Sequence, residues 1–481
     1  MKQPKRVLLF NVVPFLLIFF DSSIANGSQY KKVLNFHKFQ RNQLHSQYQY
    51  AFQSCFSLKS RIQEDSTTME IKHRDSCSKK TSHDLNKRLQ ERIILDNDQV
   101  QYLQHRIKYL ISGEIQTLSD TQTPLSSGTR LEILNYVITL QLGGKNMTVI
   151  VDTGSDLTWV QCKPCKVCYH QQEPIFNPST SLSYQSISCN TSACRSLKEA
   201  TTNLGACAYN PSTCNYYVSY GDGSYTRGEL ATETLDIGKA RVNNFVFGCG
   251  RSNKGLFGSV SGLMGLGKSD LSFVTQTSKV FGGVFSYCLP STDAGESGSL
   301  TLGQNSSVYR NTTPISYTRM VQNPQLSSFY MLNLTGIDVG GVQIDASSGE
   351  NGILIDSGTV ITRLPPSIYK ALKAEFVKQF SAFPSAPGFS ILNTCFNLSS
   401  YKEVNIPTVR LQFEGNAELN VDVNGVFYMV KSDASQACLA FASLMYEDDI
   451  AIIGNYQQKN IRIVYDTKQS LVGFAEEKCS F

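Results

Sequence analysis

Beyond residue 130 this 481-residue chain contains one histidine, His170; the other five, His37, His45, His73, His83 and His105, all come earlier. A Ser-His-Asp or Cys-His nucleophile needs an imidazole base, and catalytic zinc usually takes at least one histidine ligand. His170 lies in a cysteine-rich loop, where a solvated side chain is its simplest role. The body therefore lacks the base those chemistries require, and carboxylates are left to do any acid–base work. Long apolar runs are equally scarce. The first, Val7 to Phe20, is interrupted by Asn11 and Pro14 and falls short of the roughly 20 residues that span a bilayer. It follows Lys2, Lys5 and Arg6 and precedes Ser23-Ile24-Ala25, the pattern of a secretory signal over residues 1–25. No later segment is apolar enough to cross, and Glu476–Phe481 carries no lipid-anchor tail, so no membrane partner is expected.

What is present begins with a charge asymmetry. The net charge of +5 divides into 19 Lys/Arg against 11 Asp/Glu over residues 1–130 and 25 against 28 over 131–481. A basic front could be a nucleic-acid arm, but Asp75, Asp84, Glu91, Asp96 and Asp98 interleave with its bases, which favours a solvated or clamping segment. Residues 26–125 are therefore expected to form a basic pro-segment lying over a mildly acidic body, with no nucleic acid bound. Within it Ile94, Leu95, Val100, Leu103, Ile107, Leu110 and Ile111 predict a helix near residues 93–111, in a segment otherwise poor in strand-like runs. Ser119–Thr129 is a Ser/Thr/Gly/Pro tract that reads as an exposed, cuttable linker.

Of 14 cysteines, Cys55 and Cys77 lie in the front and twelve in the body. Cys162-x2-Cys165-x2-Cys168 has partial zinc spacing without a fourth ligand at the right distance, and behind a secretory signal an even dozen reads as disulfides. No metal and no cofactor are expected. Acceptor sequons at Asn146, Asn190, Asn305, Asn311, Asn333 and Asn397 make a secreted glycoprotein the expectation, with the extracellular space (the apoplast of a plant) as destination and vacuole or chloroplast as alternatives.

From Leu131 onward short β-rich runs alternate with Gly turns, and only Ser269–Phe281 and Ser367–Phe380 look helical, so the body is all-β. Two stretches echo each other. Val149-Ile150-Val151-Asp152-Thr153-Gly154-Ser155 and Ile353-Leu354-Ile355-Asp356-Ser357-Gly358-Thr359 each run three aliphatic residues into an aspartate, a hydroxyl residue, a glycine and a second hydroxyl. Each is followed about a hundred residues on by an apolar-apolar-Gly run, Gly262–Gly267 in one half and Ile452–Asn455 in the other. This repeat predicts two similar lobes, 131–313 and 314–481, with Asp152 and Asp356 meeting in the cleft between them.

With these motifs the chain resembles the pepsin-like aspartic proteases, from about Leu131 to the C-terminus. Tyr220-Gly221-Asp222-Gly223-Ser224 looks like the flap hairpin of that family, and Trp159, the only tryptophan, matches the partner of the flap tyrosine. The Cys162–Cys214 insertion, the twelve body cysteines and Asp156 are similar to the plant nepenthesin-like branch, and Met69–Cys77 to relatives described as chloroplast nucleoid DNA-binding proteases. The resemblance implies a bilobal, pseudo-symmetric fold and an endopeptidase, made as a zymogen, that acts as a monomer on protein and peptide substrates. It implies Asp152 and Asp356 as the catalytic pair, Thr153, Ser155, Ser357 and Thr359 as its supports, and a Cys395–Cys438 bridge. Peptide hydrolysis without a covalent intermediate needs a base for water and an acid for the carbonyl oxygen, and two close carboxylates sharing one proton supply both. The pro-segment is expected to inhibit intramolecularly, its Lys and Arg neutralising the cleft carboxylates until acid charges its histidines. A binding or inhibitor protein on the same fold is the alternative, against which both motifs stand intact.

Overall fold

The computed structural model describes residues 30–35, 58–63, 66–74, 85–112, 136–207, 212–220, 223–255, 257–291, 297–304, 309, 312–347 and 352–481. The proposed signal, the 119–129 linker, Cys55, Cys77, Asn305, Asn311 and flap residues Gly221 and Asp222 lie outside them.

The body is built of short strands, and its layout explains the sequence echo. In the first lobe Tyr136–Leu142 turns through Gly143 and Gly144, at φ 55° and 70°, into Lys145–Asp152. That strand is buried from Met147 onward and delivers Asp152 at its end. Gly262–Gly265 runs parallel beside it with Gly265 opposite Asp152, and Trp159–Gln161 crosses Gly262–Gly265 antiparallel on the other side. The second lobe repeats the arrangement: Ala451–Ile453 runs parallel to Ile353–Ile355, and Thr362–Leu364 pairs antiparallel with it at Ile452. Two glycines make the threading sterically feasible. A β-carbon on Gly265 would lie 2.3 Å from the Asp156 backbone, and one on Gly454 2.3 Å from the Val360 carbonyl. Asp156 and Val360 each stand four residues after an aspartate of the pair, so the same contact occurs in both lobes.

A third sheet region joins the lobes, from Ser316–Arg319 through Leu471–Glu476, Ile461–Asp466 and Val284–Cys288 to Gly298–Gly303. The front segment contributes the next strand. Ser66–His73 pairs antiparallel with Gly298–Gly303 on one side and, through Lys72 and His73, with Tyr136–Leu142 on the other. The front is thus richer in strands than its composition predicts, with Lys31–Asn35 on Glu403–Pro407 and Ser60–Gln63 on Ser66–His73 as well. Thr67, Thr68, Met69 and Ile71 suit a pleated, buried position, and the sheets on both sides override the polar average of the segment.

The predicted pro-segment helix is longer than expected, Leu85–Ser112, and its buried face is shifted: Ile93 is fully buried whereas Ile94 is 49% exposed. The buried stripe runs Ile93, Asp96, Val100, Leu103, Ile107, at steps of three and four, with Gln104 buried beside it. Each buried aliphatic side chain there contributes about 1.5–3 kcal/mol relative to exposure. Ser269–Phe281 is two short helices, Phe273–Gln276 and Ser278–Phe281, because Thr277 leaves helical geometry between them and Gly282 stops the second at φ 72°. Pro366–Gln379 is a helix as its pattern predicts, burying Tyr369, Leu372 and Phe376.

All twelve body cysteines are bonded: Cys162–Cys249, Cys165–Cys168, Cys189–Cys207, Cys194–Cys214, Cys288–Cys479 and Cys395–Cys438. Among the described residues no cluster of His, Cys, Asp and Glu could hold a metal, and no helix is long and apolar enough to cross a membrane. Asn146, Asn190 and Asn397 are exposed, whereas Asn333 is half-buried and donates to Glu414.

Candidate active site

Asp152 and Asp356 each sit at the end of a buried strand with the following turn folded back on the carboxylate. Gly154 N–H donates to Asp152 Oδ1 at 3.0 Å and Ser155 Oγ to Oδ2 at 2.5 Å. The second lobe matches, with Gly358 N–H donating to Asp356 Oδ1 at 2.8 Å and Thr359 Oγ1 to Oδ2 at 2.7 Å. The lobes also grip each other across the cleft. Ser357 N–H donates to Thr153 Oγ1 at 2.8 Å and Thr153 N–H to Ser357 Oγ at 3.1 Å. A β-carbon on Gly358 would stand 2.5 Å from Asp152 Oδ1 and 3.3 Å from Asp356 Oδ1, so the inner oxygens of both carboxylates face one small space. All six residues named from the motifs are thereby brought together.

Electrostatics follow from that crowding. Burial, and then the charge of Asp152, push the Asp356 carboxyl up to about 7 against the pull of Thr359 and Gly358. Asp152 is raised by burial and opposed by its Ser155 and Gly154 hydrogen bonds and by the Arg106 charge. Two carboxylates this close hold one proton between them over a wide pH range, a property for which acid proteases are the usual illustration.

The hairpin of Cys214–Ser219 and Tyr225–Ile237 carries Tyr220 over the pair. Trp159 Nε1 donates to Tyr220 Oη at 2.8 Å. Phe257, which the sequence reading did not single out, packs edge-on against both rings at 4.9 and 5.7 Å and so completes their brace.

The cleft is closed by the Leu85–Ser112 helix. Gln99, Tyr102, Leu103 and Arg106 face Asp152, Leu157, Val218 and Tyr220, leaving a cavity of about 30 Å³, room for little more than one water. Arg106 donates to the Gly154 carbonyl at 3.1 Å and lies 3.8 Å from Asp156 Oδ2. The basic lid thus meets the acid next to the pair, and its second anchor has the opposite polarity. Asp96 of the helix makes a buried 2.6 Å ion pair with Arg363 and accepts Val360 N–H at 2.6 Å and Ile361 N–H at 3.2 Å, immediately after the second motif. Gln104 exchanges two hydrogen bonds with the Ile450 backbone, and Lys108 pairs with Asp449 at 2.7 Å. His105, expected to help open the lid, is exposed on the helix's outer side. The anchoring roles of Asp96, Gln104 and Arg106 escape a helix pattern drawn from apolar residues alone; polar side chains falling in register with an apolar stripe are the signal that finds them.

Two lobes that each turn an aspartate into one cleft, beneath a tyrosine-bearing hairpin, define the pepsin type of fold. Comparison with known proteins agrees. Residues 136–304 match the family described as xylanase inhibitor N-terminal, and residues 329–476 the one described as xylanase inhibitor C-terminal. The chain is 43% identical over 394 residues to an aspartyl protease family protein of Arabidopsis thaliana, covering 80% of this chain and 81% of that one. It is 33% identical over 360 residues to aspartic proteinase nepenthesin-1 of Nepenthes gracilis, covering 72% and 78%. The soybean basic 7S globulin shares the fold at a TM-score of 0.56 and 21% identity, over 72% of this chain and 95% of that one. The chain belongs to the plant pepsin-like aspartic protease family.

Proposed function

We propose that the protein is an aspartic endopeptidase synthesised as a zymogen. The observation that carries this reading is the doubly supported pair, with Asp152 and Asp356 each oriented by a glycine N–H and a hydroxyl and facing one space. Water held there is activated by the ionised carboxylate while the protonated one donates to the substrate carbonyl oxygen, and the roles reverse for the leaving nitrogen. Tyr220, braced by Trp159, closes over the scissile bond and excludes bulk water. Secretion behind residues 1–25, action as a monomer and removal of a pro-segment within 26–125 belong to the same reading.

Acid opens the cleft. Burial holds Asp156 up to about 6 even though Arg106 pulls it down. Lys268, Tyr330 and Glu199 also surround it, and Ser269 N–H donates to it. Protonating Asp156 removes the negative partner of Arg106, so the ion pair weakens as pH falls through about 6.

Casein or haemoglobin digestion from pH 3 to 8, with and without pepstatin, tests the reading. Pepstatin-sensitive cleavage in acid that declines as pH passes about 7, where Asp356 loses its proton, is the expected profile. A folded, acid-treated chain that cleaves nothing would point instead to a binding protein such as the xylanase inhibitors for which the matching families are described.

A further inference from the structure

Arg106 does more than block the cleft; it fills a pocket whose parts suit a guanidinium. Its Nη1 donates to the Gly154 carbonyl at 3.1 Å, and Nη2 donates to the Ala200 carbonyl at 3.4 Å and lies 3.8 Å from Asp156 Oδ2. Its Cζ lies over the Phe329 ring, 4.9 Å from the centroid. Several carbonyl and carboxylate acceptors beside an aromatic ring that the cation lies over are the recognition pattern of arginine, and a compact ammonium matches it poorly.

These parts are held without help from Arg106. Asp156, 1% exposed, accepts Ser269 N–H at 2.9 Å. The Ala200 carbonyl lies in the last turn of the helix Ser192–Thr201, where carbonyls lack intrahelical partners and carry the negative end of the helix dipole. That helix is tied to the flap strand by Cys194–Cys214. Phe329 comes from the second lobe and is 1% exposed. Gly154, whose carbonyl Arg106 takes, donates its N–H to Asp152, so the pocket stands one peptide unit from the catalytic pair. The atoms that Arg106 covers are the ones a departing helix uncovers.

We propose that this pocket is a substrate subsite selective for arginine, which Arg106 occupies in the precursor as a built-in imitation of the substrate side chain. The proposal rests on the protease reading for its consequence, since arginine at one position of a peptide would direct the cut. Its recognition element is independent of turnover.

Two experiments test it separately. The first uses full-length precursor carrying Asp356→Asn, to prevent self-cleavage, together with Arg106→Ala, which empties the pocket while Asp96, Gln104 and Lys108 keep the helix seated. Millimolar methylguanidinium should raise the melting temperature of this variant by a few degrees and leave the Arg106-containing parent unmoved. Methylammonium should do neither. A variant that responds to both cations equally, or to neither, overturns the pocket. The second uses acid-activated wild-type protein, assayed between pH 6 and 7 where Asp156 is ionised, on peptides scanned from P4 to P4′ with arginine, its uncharged isostere citrulline and norleucine. We expect one position at which arginine exceeds citrulline about tenfold in kcat/KM, as a charge-assisted contact supplies. Asp156→Asn should erase that preference, bringing arginine and citrulline to the same kcat/KM; wild-type protein that treats arginine and citrulline alike at every position contradicts the subsite whether or not the variant folds. Guanidinium rescue without cleavage of any peptide upholds the pocket and sinks the protease reading.

Discussion

The smallest differences between the two lobes lie in single side chains, and those are where the site can be dissected. Trp159 donates to Tyr220, and no other indole is available in the sequence to replace it. Trp159→Phe keeps most of the packing against Phe257 and deletes that one hydrogen bond, worth about 0.5–1.5 kcal/mol. Steady-state kinetics should show kcat/KM reduced roughly two- to tenfold with the pH profile unmoved, because the aspartates keep their own partners. A shifted profile would mean that the flap also tunes the pair. Gly454 offers the complementary test. Its missing side chain lets the backbone pass the Val360 carbonyl, and Gly454→Ala places a methyl at 2.3 Å. Thermal unfolding should register a loss of at least about 2 kcal/mol, the penalty of overpacking against immobile backbone.

At the scale of elements, the Leu85–Ser112 helix is held by a different logic from a greasy plug. Its apolar stripe is interrupted by Asp96, which satisfies two backbone N–H groups behind the second motif and neutralises Arg363. Both partners are 1% exposed, so removing one charge strands the other in the interior, a change that costs about 3–5 kcal/mol. Asp96→Asn should therefore strip hydrogen-exchange protection from the 85–112 helix before the body loses any, and should speed conversion of the precursor in acid. Unchanged protection would place the helix's hold in its aliphatic contacts alone. The strand Ser66–His73 poses a related problem. It is the element through which Gly298–Gly303 reaches Tyr136–Leu142 in the sheet, so a precursor lacking residues 58–74 should unfold at lower temperature even with its active-site residues intact.

At the scale of the molecule, the buried carboxyls with raised pKa values, Asp152, Asp156 and Asp356, bear on how stability follows pH. A native carboxyl that keeps its proton to about 7 binds more protons than its unfolded counterpart between roughly pH 4 and 7, so stability falls as pH rises through that window. Melting temperatures of the wild type should decline more steeply across it than those of Asp356→Asn, which lacks the titrating group at position 356 and keeps only the others, Asp156 among them. The distribution of what was legible in the sequence follows the same physics. That the two aspartates meet could be read because strand, turn and hydroxyl are local and occur twice, and the bilobal fold followed from that repetition. Phe257, Asp96 and Arg106 could not, because each acquires its meaning only from contacts more than 30 residues away in the chain. The strands of the front segment are illegible for the same reason: Ser66–His73 is a strand because two sheets flank it. The central claim is that Asp152 and Asp356 work as one pair that frees itself from its own precursor. Its most direct test incubates purified full-length wild type, Asp152→Asn and Asp356→Asn at about pH 4, within reach of the carboxylate pKa range, and follows mass and casein hydrolysis together. The wild type should shorten by most of residues 26–125 and gain activity while both variants stay intact and silent; either variant converting alone at the wild-type rate would contradict the account.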